Sequence, residues 1–152
     1  MRIDEIIQAT FSTSQHKAFV NLRYTSNYLN NRQNSFLAEF ELSAIQYNIL
    51  LIIKDSGKTM NMNQIKKKMI QMPNNLTRTM DKLLDKKLIT RSFSKTDRRE
   101  ILVEITKKGM QLLDSISSKF DESALLIPEN LTHEEAEQLS HLLDKVRLGL
   151  SK

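Results

Sequence analysis

Asp97, Arg98 and Arg99, in the short connection KTDRRE that begins at Lys95, offer the most specific chemistry in this chain. Guanidinium groups on a projecting tip suit a DNA minor groove, whose negative potential is strongest at A·T-rich sites. Asp97 opposes that field unless its carboxylate holds Arg99 extended through a charge-assisted bond. Taken alone, the three residues read better as a solvated turn. A second group precedes them: Asn74, Asn75, Thr77 and Arg78, with Lys82 one turn further on. Asn can pair bidentately with adenine and Arg with guanine, while Thr can bond phosphate or meet a thymine methyl. The bland alternative is that Asn74 and Asn75 only cap a helix and that Arg78 pairs with Asp81. Lys66, Lys67 and Lys68 form a third group, either a solvated face or phosphate contacts that position the protein without specifying sequence.

These residues need elements to hold them. The pattern LTRTMDKLLDKK predicts a helix from about Pro73 to Lys87, with proline in its first turn. Leu76, Met80, Leu83 and Leu84 share one face, and Asn74, Asn75, Arg78, Lys82 and Asp85 the other. LITRSFS and ILVEIT alternate as strands, with Ile89, Arg91 and Phe93 on one side of the first and Ile101, Val103 and Ile105 on one side of the second. The connection between them is too charged to be buried.

Upstream, Ser14 to about Leu37 reads as a helix with Phe19, Leu22, Tyr28 and Leu29 near helical spacing. Ser43 and Gln46 form a capping box for AIQYNILLIIKDSG, whose apolar residues on most sides mark it as buried and whose Gly57 closes it. Asn61 or Asn63 caps the next short helix, where Ile65 and Met69 make a core pair. Downstream, Thr106 caps a helix with Leu112, Leu113, Ile116 and Phe120 in its seam, and Pro128 ends that segment. Thr132 and Glu135 form another capping box, opening a last helix that carries Leu139, Leu142, Leu143, Val146 and Leu150. These terminal stripes have little of their own chain to pack on.

Charge sharpens the reading. Thirteen bases and five acids between Thr59 and Lys108 give that stretch +8, within a chain of net +5. A basic middle between mildly acidic ends is the footprint of a nucleic-acid surface. The lack of Cys excludes disulfides, thiolate metal sites and thiol redox sensing within the chain. His16, His133 and His141 are the only histidines, and no third ligand stands at metal spacing. No phosphate-binding glycine loop or nucleophile motif is present, so an enzyme is not expected, nor a cofactor, nor a metal. No apolar run approaches a membrane span, and the N-terminus lacks the apolar core of a signal peptide, so a cytoplasmic protein is expected.

The stretch LTRTMDKLLDKKLITRSFSKTDRREILVEITKKG resembles the recognition helix, wing and following helix start of the multiple-antibiotic-resistance regulator (MarR) family. The likeness runs from about Phe19 to Leu150, with the family's wing signature Asp-x-Arg on Asp97 and Arg99. Lys87 stands where the family usually has Gly, so a left-handed turn is expected there at a cost of roughly 1 kcal/mol. The resemblance implies a mainly α (α+β) winged helix-turn-helix with N- and C-terminal dimerisation helices. It implies one domain over 1–152, with a DNA-binding lobe at about 40–108 and a helical dimerisation lobe from about 10–38 and 108–152. Further implications are a homodimer, usually a repressor, on double-stranded DNA with a pseudo-palindromic operator, often released by a small molecule. A phenolic or other lipophilic effector would bind where the lobes meet, and His16, Arg23, Tyr28 and Tyr47 could line that pocket; the plainer reading of Tyr28 and Tyr47 is as core aromatics with hydroxyls at the surface. The competing class is a winged-helix protein-interaction module that binds no specific operator.

Overall fold

Caps and apolar spacing set the element boundaries in the computed structural model, which describes residues 1–94, 99–119 and 130–150. In chain order the elements are α1 (Ile3–Ile6), α2 (Ser14–Ala38), α3 (Ala44–Ser56), β1 (Met60–Asn61), α4 (Met62–Lys68), α5 (Leu76–Asp85), β2 (Ile89–Phe93), β3 (Ile101–Ile105), α6 (Lys107–Lys119) and α7 (His133–Leu150). The chain divides into two compact units, Met1–Asp121 and Glu122–Lys152.

The centre of the first unit is α3. Ser43 Oγ accepts from the Gln46 amide at 3.2 Å, and Gln46 Oε1 accepts from the Ser43 amide at 3.0 Å. That reciprocal pair lets Gln46 stay buried without an orphaned polar atom. Ile49, Leu50 and Ile53 behind it are buried, as expected of the most apolar helix. Gly57 ends α3 in the left-handed region at φ 63°. Asn61, not Asn63, caps α4: its side chain accepts from the Gln64 amide at 2.8 Å, and Gln64 completes the box. Ile65 is buried and Met69 packs beside the same core.

Helix α5 is shorter than its sequence pattern. It begins at Leu76, because Asn75 takes a non-helical conformation (φ −139°, ψ 93°) and caps with its side chain. Pro73 therefore precedes the helix instead of forming its first turn. Leu76, Met80 and Leu83 are buried. At the other end Lys87 sits at φ 59°, the expected left-handed residue. Its amide donates to Leu84 O at 2.8 Å and that of Leu88 to Leu83 O at 3.0 Å, the two bonds of a Schellman turn.

The three strands form an antiparallel sheet in the order β1-β3-β2. Met60 and Arg91 both oppose Val103, which is fully buried. Outward along the hairpin the core runs out, and the opposed pair Phe93 and Ile101 is exposed. Strand β3 then passes into α6, where Thr106 Oγ1 accepts from the Gly109 amide at 3.0 Å. Leu113 and Ile116 of α6 are buried in the same core as α3. Phe120 and Pro128 lie outside the described residues.

Two long helices bury little within their own units. Only Leu37 of the 25-residue α2 is buried. In the second unit, Thr132 and Glu135 form the expected box, with bonds of 2.9 and 3.3 Å, and open α7. Leu139, Leu142 and Val146 recur on one face of α7 and are exposed. No described helix is long and apolar enough to cross a membrane.

Candidate nucleic-acid interface

The first turn of α5 carries Asn75, Thr77 and Arg78. Asn75 Oδ1 accepts the Arg78 amide at 2.9 Å, so the capping role is occupied by this residue. Thr77, Arg78 and Lys82 are exposed, as is Asn74 just before the helix. The alternative pairing of Arg78 with Asp81 does not form. Asp81 instead meets Arg91 of β2 at 2.9 Å, and among the described residues Arg78 has no ion-pair partner. This leaves a cationic fork at the open end of the helix, next to polar Asn74 and Thr77.

The wing is anchored from two sides. The Ser94 amide donates to Glu100 O at 2.9 Å, closing the hairpin below its tip. Asn61 Nδ2 donates to Glu100 Oε1, tying the same residue to the N-cap of α4. Arg99 is exposed in the turn just above that anchor. Lys95, Asp97 and Arg98 lie outside the described residues, and with them the expected Asp97–Arg99 bond.

The far end of α5 is tied as firmly. Lys86 Nζ donates to Glu41 O and pairs with Glu41 Oε2 at 3.6 Å. Lys108 Nζ, at the start of α6, donates to Lys86 O at 2.9 Å. Thr106 Oγ1 lies 2.8 Å from Lys87 O and 3.1 Å from Leu88 O. Helix α5 is thus held by the scaffold at its C-terminal end and, through Asp81 and Arg91, at its middle. Lys66, Lys67 and Lys68 are exposed on the last turn of α4, where they also complement the helix dipole.

Neither Arg91 nor Glu100 has a motif of its own, and the capping signal at Asn61 does not foretell its bond to Glu100. The signal for Arg91 is its parity: an arginine on the inward face of a half-buried strand requires an anion opposite. Asn61 and Glu100 meet only because β1 pairs with β3, which no local pattern announces.

Of the residues considered for an effector pocket, His16, Arg23 and Tyr28 lie on α2 and Tyr47 on α3. His16 is exposed, with its ring edge-on to Phe11 at 5.5 Å. Arg23 lies 6.0 Å over the Phe19 ring, and Tyr28 is exposed. His16 and Tyr28 are twelve residues apart on α2, about 18 Å along the axis. Tyr47 is half-buried on α3, and burial, with a smaller contribution from Asp55, raises its phenol above the ordinary tyrosine range. A shallow cavity of ≈ 410 Å³ does exist, but Glu41, Gln46, Lys82, Asp85 and Lys86 line it. Among the described residues no cluster of His, Cys, Asp and Glu could hold a metal ion.

Comparison with known proteins points one way. Residues 32–116 match the family profile described as transcriptional regulator SarA/Rot. The chain is 30% identical over 136 residues to the HTH-type transcriptional regulator MhqR of Bacillus subtilis (strain 168), covering 88% of this chain and 91% of that one. The fold matches a mutant MarR from E. coli complexed with operator DNA, with a TM-score of 0.75 at 23% identity over 94% of this chain and 96% of that one. It also matches Bordetella bronchiseptica BpsR, whose DNA binding is regulated by 6-hydroxynicotinic acid, with a TM-score of 0.69 at 20% identity over 86% and 98% of the two chains.

Proposed function

The chain belongs to the MarR and SarA/Rot winged-helix transcriptional regulators, and on that footing we propose that it is a homodimeric repressor of a pseudo-palindromic operator. The observation that carries the reading is the outward face of α5, where Arg78 is exposed while Asp81 is engaged by the wing's Arg91. Helix α5 enters the major groove, and the tip bearing Asp97, Arg98 and Arg99 reaches the flanking minor groove. Arg78 reads a base edge, because its guanidinium is exposed at the open end of α5 with no ion-pair partner among the described residues, while Asn75 is already engaged in capping. Thr77, Asn74, Lys82 and Lys95 contact backbone or neighbouring edges, and Lys66 to Lys68 supply phosphate contacts.

A second copy supplies what α2 and α7 lack. One buried residue in α2 and an exposed apolar stripe on α7 leave surfaces that a partner's helices cover. Two-fold symmetry then demands an inverted repeat with half-sites about 10 bp apart. A phenolic or other lipophilic effector shifts the population of dimers toward a spacing of the two α5 helices that no longer fits. The regulation of BpsR by 6-hydroxynicotinic acid supports such a ligand. Its contacts come from His16, Arg23, Tyr28 and Tyr47, with His16 and Tyr28, about 18 Å apart along α2, serving different subsites or different subunits.

The test is the stoichiometry and footprint on a duplex from the promoter region beside its own gene. Two chains per duplex with a two-fold symmetric footprint is the expected result. A single chain per site, or protection spread evenly over random duplex, overturns the operator reading.

A further inference from the structure

Between residues 40 and 119, the described chain exposes large apolar side chains in two places only. Ile70 and Met72 lie in the α4–α5 turn, and Phe93 and Ile101 lie at the outer end of the wing. The second pair is the more informative. Phe93 is 71% exposed and Ile101 41%, and the two stand directly opposite each other across the hairpin.

Their direction follows from the sheet. Residues two apart share a face, so Phe93 and Ile101 lie on the face that carries Ile89, Arg91, Val103 and Ile105. That face packs towards α5, as the Arg91–Asp81 pair demonstrates. Strand β2 runs back along α5: Ile89 follows the helix C-terminus, and Arg91 reaches Asp81 near the middle. Phe93 is about 6.6 Å further along the strand, towards the end of α5 that bears Arg78. On the other strand Ile101 lies two residues from Arg99. An apolar pair therefore sits between the cation on the reading helix and the cation on the wing.

The chemistry of the surroundings selects the occupant. A partner copy docking here would set two strongly basic faces against each other, which costs affinity. The DNA backbone offers the complementary alternation, anionic phosphates interrupted by the apolar edges of deoxyribose. We propose that Phe93 and Ile101 pack on the deoxyribose wall beside the minor groove and add a share of DNA affinity that does not depend on salt. This inference rests on the DNA-binding reading above.

The experiment uses the full chain, the promoter duplex and a salt series, with wild type, Phe93→Ser, Phe93→Leu and Arg99→Ala. Phe93→Ser is expected to weaken binding roughly tenfold, because apolar burial is removed, with the slope of log affinity against log salt unchanged. Phe93→Leu recovers most of the affinity. Arg99→Ala instead flattens the slope by about 0.9 for each phosphate that the side chain no longer neutralises. On a duplex trimmed of the base pairs beneath the wing, wild type and Phe93→Ser converge. Equal affinity of wild type and Phe93→Ser on the full duplex overturns the proposal, as does an equal weakening on both duplexes or a drop in oligomeric mass. Absence of wild-type binding to any duplex overturns the DNA-binding reading itself and this inference with it.

Discussion

The guanidinium of Arg91 lies 2.9 Å from the carboxylate of Asp81, joining the second strand of the sheet to the middle of α5. The two side chains are 32% and 49% exposed, so the pair stabilises the fold by at most about 1 kcal/mol. What the pair does fix is orientation, holding Arg91 against α5. Asp81→Asn is expected to leave the urea midpoint nearly unchanged and to lower the ratio of operator to random-duplex affinity severalfold. Competition binding checks this, and an unchanged ratio in a folded variant would remove the role assigned to the pair.

Gly109 sits where the chain passes from the wing into α6. A Cβ at that position would meet Leu88 O at 2.3 Å and Ile105 Cγ1 at 2.7 Å. Gly→Ala in a helix ordinarily gains up to about 1 kcal/mol. Here the backbone carbonyl cannot yield, so Gly109→Ala should destabilise by roughly 1–3 kcal/mol. Denaturant titration gives the sign directly.

Lys87 presents the converse case. It occupies the left-handed region at φ 59°, a conformation that costs a non-glycine residue about 1–2 kcal/mol. Lys87→Gly removes that strain and adds unfolded-state entropy, so a net gain of roughly 0.5–1 kcal/mol is expected. A lower denaturation midpoint would mean that the lysine side chain contributes more than its strain costs.

Tyr47 makes a pH prediction. Burial raises its phenol, with Asp55 adding to the effect. The folded protein therefore favours the protonated form, and the unfolded chain ionises first as pH rises. The stability linked to Tyr47 is fully present below the ordinary tyrosine pKa and is lost as pH climbs through the raised folded value. Ultraviolet titration of phenolate should show a late component that Tyr47→Phe removes; its persistence in that variant would contradict the assignment.

What is legible in the sequence divides along the range of the forces involved. The caps at Ser43, Thr106 and Thr132 are local, set by residues within four positions, and are found where the pattern puts them, while the left-handed residue at Lys87 is found where the family resemblance implied it. The start of α5 departs from its pattern because proline suits a first turn, yet the Asn75 side chain two residues later competes better for the free amides. The Arg91–Asp81 and Asn61–Glu100 links depend on strand pairing and helix packing, which no short window contains. The exposure of Phe93 is hidden for a similar reason: alternation tells which face a strand residue takes, not where the core beneath that face ends.

All of this turns on whether Arg78 on α5 reads a specific operator while Arg99 on the wing grips the flanking groove. The most direct measurement is competition binding on the promoter duplex against random duplex for wild type, Arg78→Ala and Arg99→Ala. Wild type is expected to bind tightly and to resist the competitor. Arg78→Ala loses about 1–3 kcal/mol of discrimination at one base pair in each half-site, and Arg99→Ala weakens binding to all duplexes together. Equal wild-type affinity for promoter and random duplex, or specificity untouched by Arg78→Ala, would contradict that reading.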